Sequence, residues 1–246
     1  MRRRDLLLAS LALLAGWQLT TWLVNEPILP GPFVVATTLV RELGQGLTGH
    51  FLVSAYRVLS SVLLAVAIAA PAGLILGQSQ RLNRLLSPLV YMLYPIPKVV
   101  FVPVVLLLFG IGDFPKILII FLILFFQILV LVRDSAANIE AKTLLSVRSL
   151  GAGRRALFRY VYLPASLSAI LTALRQSVGT AVAVLYIAEL FATRQGLGYY
   201  IYLKGNTLFD YPAMYAGVVA MSVLGLALYF AVDRLERYLC PWKFVG

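Results

Sequence analysis

The stretch NIEAKTLLSVRSLGAGRRALFRYVYLP, residues 138–164, decides how the chain is read, because it is the longest polar, basic interruption in an otherwise lipid-soluble sequence. Ile139, Thr143, Val147 and Leu150 recur at helical spacing while Glu140, Lys142 and Arg148 fall on other faces, which predicts an amphipathic helix. Gly151-Ala152-Gly153 breaks it. Gly151 is expected at the helix C-cap or elbow, where left-handed backbone costs a residue with a side chain about 1 kcal/mol or more. Arg154 to Val161 predicts a second short helix, ended by Leu163-Pro164. Two short helices at a glycine elbow, held between membrane spans, make a rigid knob that a partner could grip.

Around that knob the chain is 61% hydrophobic and 13% charged over 246 residues, which excludes an ordinary soluble domain. Several apolar runs reach the roughly 20 residues needed to cross a hydrocarbon core of about 30 Å. The predicted class is an all-α integral membrane protein, a single transmembrane domain over residues 1–246. Its six transmembrane helices fall near 6–24, 51–77, 85–109, 117–132, 165–190 and 212–232, with a loop at 138–164 between spans four and five. The basic residues 2–4 before the first run also fit a secretory signal peptide. The length of the run, with Trp17 and Trp22 and no small-residue cleavage site, favours a retained span. Pro71 and Gly73 mark a kink in span two. Pro88, Pro95 and Pro97 predict that the first half of span three is broken, which membrane depth tolerates only where backbone is buried in protein or lines a cavity. Residues 25–49 read as an external turn and a surface-lying helix, 78–84 as a short polar loop, and 192–211 as an external loop, open to a re-entrant reading.

The charge distribution orients these spans. Of the 21 Lys and Arg, fourteen fall on the predicted inner side and four (Arg41, Lys116, Arg194, Lys204) on the outer side. Arg57, Lys98 and Arg175 lie within spans. That asymmetry predicts both termini cytoplasmic. The net charge of +11 then faces anionic membrane lipid and requires no nucleic acid. The single Cys240 excludes an internal disulfide and a CxxC metal site, and the single His50 leaves little for metal or acid–base chemistry. An intramembrane enzyme needs clustered reactive groups at one depth, and the carboxylates here are scattered. A self-sufficient secondary transporter commonly carries internal repeats, and none relates the two halves. No GxxxxGK[ST] stretch occurs, and Gly196-Leu197-Gly198 is too short a pattern to indicate a nucleotide, so an ATP-driven motor would be another polypeptide.

The register of Gly151, nine residues, Val161, one residue, then Leu163-Pro164 resembles the cytoplasmic loop signature of ABC importer permeases: EAA, three residues, Gly, nine residues, Ile, one residue, Leu-Pro. The chain departs from it at the triplet, which falls on Leu145-Ser146-Val147, and at Val161. LPGP from Leu29, RVLSSVLLA from Arg57, YPIPK from Tyr94, FGIGDFPK from Phe109 and AELFATRQGLG from Ala188 extend the resemblance over about residues 28–205. They resemble the subgroup that imports nitrate, sulfonates and taurine. The resemblance implies a methionine-importer-type permease fold in a bacterial or archaeal cytoplasmic membrane. It implies a second permease copy as homodimer partner, a cytoplasmic ABC ATPase dimer that carries ATP and magnesium, and a periplasmic or lipid-anchored solute-binding protein. No cofactor is expected on this chain.

Carried over from that loop, the ATPase-docking surface is expected at Ser146, Val147, Arg148, Leu150, Gly151, Ala152, Arg154, Arg155, Leu163 and Pro164. Each arginine there also fits ordinary lipid-facing cytoplasmic charge. Pathway or gate candidates are Pro95, Pro97 and Lys98 at the broken span, with Arg57, Arg175 and Glu189. An ammonium at mid-depth costs several kcal/mol unless it meets water, a partner or the interface. Lys98 therefore reads either as a cation lining an anion route or as a side chain that snorkels or pairs with a carboxylate. Snorkelling is the leading expectation for Arg57; Arg175 reads as an inner-gate element or a snorkelling cation, and Glu189 as an outer-gate partner of Arg57.

Overall fold

The computed structural model describes residues 3–191 and 193–243; the side chains of Arg3, Leu6, Leu7, Ala141 and Arg154 lie outside that description. In chain order the helices are α1 (Arg3–Val24), α2 (Pro32–Glu42), α3 (Thr48–Gln78), α4 (Gln80–Leu93), α5 (Val102–Phe109) and α6 (Asp113–Ala137). There follow α7 (Ala141–Ser149), α8 (Arg154–Leu157), α9 (Leu163–Leu190), α10 (Leu197–Tyr202) and α11 (Tyr211–Leu239). No strand occurs among the described residues. Four segments are long and apolar enough to cross a membrane: Pro32–Gln78, Asp113–Ala137, Arg155–Leu190 and Tyr211–Leu239. A fifth arises if α4 and the segment Lys98–Phe109, bent by 71°, count as one span. Large apolar side chains such as Leu13, Leu107 and Leu226 point outward, as a lipid solvent requires.

The chain divides into two compact units, Met1–Ser54 with Glu189–Leu224, and Ala55–Ala188 with Gly225–Gly246. In the first, the Trp17 indole donates to the Pro30 carbonyl at 3.1 Å and ties α1 to the Pro30-Gly31-Pro32 turn. Pro32 opens α2, where its fixed φ suits a helix and its missing N–H is no loss. The surface-lying helix expected within residues 25–49 ends at Glu42. A wide turn at Leu43–Leu47, with Gly46 at φ 120°, carries the chain into α3 at Thr48, three residues before the expected start of span two. The segment expected as an irregular outer loop holds α10, with Leu197, Gly198, Tyr200 and Ile201 buried; Ala192 lies outside the described residues.

In the second unit α3 and α6 approach closely. A Cβ at Gly73 would stand 2.9 Å from the Leu129 carbonyl and Val132 Cβ, and one at Gly77 would stand 2.6 Å from Ala136 Cβ and the Arg133 carbonyl. Small residues four apart let two helix backbones meet, a common device where lipid removes the hydrophobic drive for association. The helix continues through Pro71. Three boundaries differ from expectation. The loop predicted at 78–84 shrinks to Ser79, whose hydroxyl accepts from Leu82 N and starts α4 at once. Pro88 sits inside α4, and the break falls later, at Tyr94 to Pro97, before the tight turn Lys98–Phe101. Leu163-Pro164 does not end the elbow segment: α8 passes through the wide turn Phe158–Tyr162 into α9, where Leu163 N still donates back to the Phe158 carbonyl.

Candidate functional site

The elbow forms as its sequence requires. Helix α7 ends at Ser149 with Leu150 as its C-cap, and Gly151 takes φ +82°, its N–H donating to the Arg148 carbonyl at 2.9 Å. An αL residue just past a helix satisfies an orphan carbonyl and turns the chain sharply. No heavy atom lies within 4 Å of where a Gly151 Cβ would be, so backbone conformation alone selects glycine. Leu157 and Val161 are buried and anchor the second arm. Leu145 (62% exposed) and Leu150 (84%) stand out on the first arm, with exposed Ser146, Arg148 and Arg155; Val147, Ala152 and Pro164 are half-buried, and Leu163 is 39% exposed. The expected apolar face therefore does not bury itself at Leu150. The Arg154 side chain lies outside the described residues.

The broken span brings Pro95, Pro97 and Lys98 to one cavity of about 360 Å³, lined also by Tyr94, Phe126, Gln127 and Thr180. Lys98 Nζ donates to the carbonyls of Leu93 and Tyr94, both at 2.7 Å, and stands 4.4 Å from the Phe126 ring centre. The Leu93 carbonyl otherwise accepts only a long bond from Ile96 N at 3.3 Å, and a cation at the end of α4 also meets the negative end of the helix dipole. Lys98 thus neither snorkels nor pairs with a carboxylate; it caps the break. Phe126 carried no sequence signal within its apolar run, whereas Gln127, the one polar residue between Ile117 and Val132, and Thr180 were signals that the sequence reading passed over.

The other pathway candidates are held by carboxylates. Arg57 is buried rather than snorkelling: its guanidinium meets Asp113 Oδ1 through Nε at 2.8 Å and NH2 at 2.7 Å. Arg175 likewise does not snorkel. Its NH1 lies 3.1 Å from Asp233 and 3.0 Å from Glu236 Oε2, the latter without the alignment for a hydrogen bond. Lys243 reaches Glu236 Oε1 at 2.6 Å and Thr172 Oγ1 at 3.0 Å, so the C-terminal turn joins the same cluster. Sequence reading missed Asp113, Asp233 and Glu236, whose only signal was an acidic residue in a predominantly apolar chain.

Glu189 is fully buried. Its oxygens lie 2.8 Å from the Ser54 hydroxyl, and Oε2 accepts from Gly198 N at 2.8 Å; Ser54 Oγ in turn accepts from Leu197 N at 2.7 Å. Gly196, at φ 117°, passes so close that a Cβ would land on the Glu189 carboxylate. His50 Nδ1 accepts from Gly196 N at 3.1 Å. Nearby, Glu42 is buried against the Tyr200 hydroxyl (2.8 Å) and Lys204 (3.1 Å). Burial pushes the Glu42 carboxyl up, but hydrogen bonds from Tyr200 and Lys204 and the charges of Lys204 and Arg41 hold it below its ordinary value. Burial and Glu42 push the Tyr200 phenol up. Among the described residues no group of three or more His, Cys, Asp or Glu could hold a metal ion.

Residues 65–243 match the sequence profile of the family described as "Binding-protein-dependent transport system inner membrane component". A probable ABC transporter permease protein of Brucella abortus is 32% identical over 231 residues, covering 94% of this chain and 92% of the relative. The taurine transport system permease protein TauC of Escherichia coli is 30% identical over 250 residues, covering 98% and 90%. Among solved structures, a chain of the MetNI methionine ABC transporter in an inward-facing conformation superposes with a TM-score of 0.70 at 21% identity, covering 80% of this chain and 98% of that one.

Proposed function

The chain belongs to the family of binding-protein-dependent transport system inner membrane components, and from that premise we propose that it carries a small sulfonate-, taurine- or nitrate-like anion along a pathway built with a second copy of itself. As a multi-pass ABC importer permease it is a transport subunit, with ATP hydrolysis on a separate ATPase. Its work is alternating access: each partner favours one of two conformations and shifts their populations by its differential affinity. The reading has six crossings, α1, α3, the bent pair α4–α5, α6, α9 and α11, with both termini cytoplasmic. The charge asymmetry supports it.

The observation that carries the docking part is the elbow at Gly151, left-handed and flanked by the outstanding Leu145 and Leu150. Exposed leucines on a polar loop outside the lipid have no solvent reason to be there, and they suit a partner's apolar cleft. Ser146, Val147, Arg148, Ala152 and Arg155 frame that contact, and Arg154, Leu163 and Pro164 complete the surface carried over from the family. The anion preference is supported by the charge of Lys98, which keeps one ammonium proton beyond its two carbonyl bonds, beside a cavity of about 360 Å³. Arg57, Arg175 and Glu189 serve as ion-paired or hydrogen-bonded gate elements. ATP and magnesium belong to the ATPase, and a solute-binding protein delivers the substrate.

The test is purification of the tagged chain from its native membrane in mild detergent, with partners identified by mass. A P-loop ATPase should accompany the wild type and be lost from Gly151→Pro, because proline cannot reach φ +82°. Uptake of solute driven by an ion gradient, with no ATPase bound, would refute the reading.

A further inference from the structure

A second recess, separate from the Lys98 cavity, lies between the end of α3 and the elbow. It holds about 450 Å³ and is lined by Ile75, Gln78, Ser79, Arg148, Leu157 and Tyr162. Gln78 is one of the lining residues, and its Nε2 is buried without a hydrogen-bond partner in the protein. Leaving such a donor unsatisfied costs about 1–3 kcal/mol, so a chain retains one where something else supplies the acceptor. Arg148 is exposed, and no carboxylate of the described residues pairs with it. Ser79 Oγ already accepts from Leu82 N, which leaves its own proton to donate, and Tyr162 adds a phenol. Ile75 and Leu157 supply an apolar wall. The lining therefore offers a guanidinium, an amide and two hydroxyls, and no carboxylate.

We propose that this recess binds an oxyanion, a sulfonate, sulfate or phosphate group, held by Gln78, Ser79, Arg148 and Tyr162. Guanidinium and amide donors match the several acceptor oxygens of such a group, and charge assistance makes those bonds roughly twice as strong as neutral ones. The bound group joins the α3–α4 turn to α7, so its occupancy stiffens the elbow on the cytoplasmic side. Two sources share the chemistry: a free oxyanion in the cytosol, the transported solute included, and the phosphodiester of an inner-leaflet phospholipid.

The experiment compares wild type with Gln78→Leu and Tyr162→Phe, each checked for an unchanged elution profile and helix content. Sulfate binding to the detergent-purified chain is followed by calorimetry at constant ionic strength, and retained phospholipid by native mass spectrometry. A free-oxyanion site gives sulfate binding weakened at least fivefold in both variants. A headgroup site gives an anionic phospholipid that is retained by the wild type and lost from both. Equal behaviour of wild type and variants in both assays would overturn the proposal. Capture of the ATPase by the wild type is scored separately, so failure here leaves the permease assignment standing or falling on its own data.

Discussion

Replacement of Gly151 by alanine isolates the elbow's backbone from every other property of the site. At φ +82° a side-chain-bearing residue pays about 1–2 kcal/mol for the left-handed conformation. No heavy atom lies within 4 Å of the added Cβ, so sterics contribute nothing and the whole cost is conformational. If the ATPase grips only the bent elbow, that cost appears as lost affinity, about tenfold for each 1.4 kcal/mol. Gly151→Ala should therefore bind the ATPase about five- to thirty-fold more weakly, as measured by titrating purified ATPase onto the permease in nanodiscs. Gly151→Asn, a residue that visits the left-handed region more readily, should lose less. Gly153→Ala is the control: its Cβ also meets nothing, and Gly153 is not at positive φ. Equal losses at positions 151 and 153, or none at either, would refute the argument.

Gly196→Ala should be worse than Gly151→Ala, because it combines φ 117° with a Cβ on the buried Glu189 carboxylate; thermal unfolding in detergent should show a clear loss of stability where Gly151→Ala shows little. Glu236→Ala should cost about 1–3 kcal/mol, since Lys243 and Thr172 lose their shared acceptor while Arg175 keeps Asp233, and a variant melting within a degree of wild type would contradict this. Lys98→Met should reduce uptake, and lose stability as well, because the Leu93 and Tyr94 carbonyls lose a charged donor worth about 1.5–3 kcal/mol per bond; unchanged uptake removes Lys98 from the pathway. For Glu42, the folded carboxyl lies below its ordinary value, so the stability it contributes is present above about pH 4.3 and is lost as pH falls through the depressed folded value. Glu42→Gln should flatten that acid limb of the melting temperature, and an unchanged limb would show that other groups set it.

The elements legible in the sequence were those governed by local rules. Apolar runs of membrane length and the glycine at the elbow each follow from solvent or backbone physics that acts over a few residues. They were enough to state the membrane class and the left-handed Gly151; the family resemblance rested instead on the register of Gly151 with Leu163-Pro164 and on the stretches that match around it. Boundaries were less legible: Ser79 caps α4 where a longer loop was expected, Pro88 is carried inside a helix, and the break falls only at Tyr94 to Pro97, where two prolines lack the N–H to continue the helix and Lys98 satisfies carbonyls they leave. The partners of the buried charges could not be read at all. Arg57 finds Asp113 across 56 positions, and Arg175 finds Asp233 across 58. Such pairings depend on which helices touch, and in lipid every outward face is as apolar as the next, so periodicity does not mark the contact. The sequence by itself determined that this chain crosses a membrane and presents a bent basic knob; only the tertiary structure decided which carboxylate holds each cation and where donors are left unsatisfied, because both are properties of helix contacts between residues far apart in the chain.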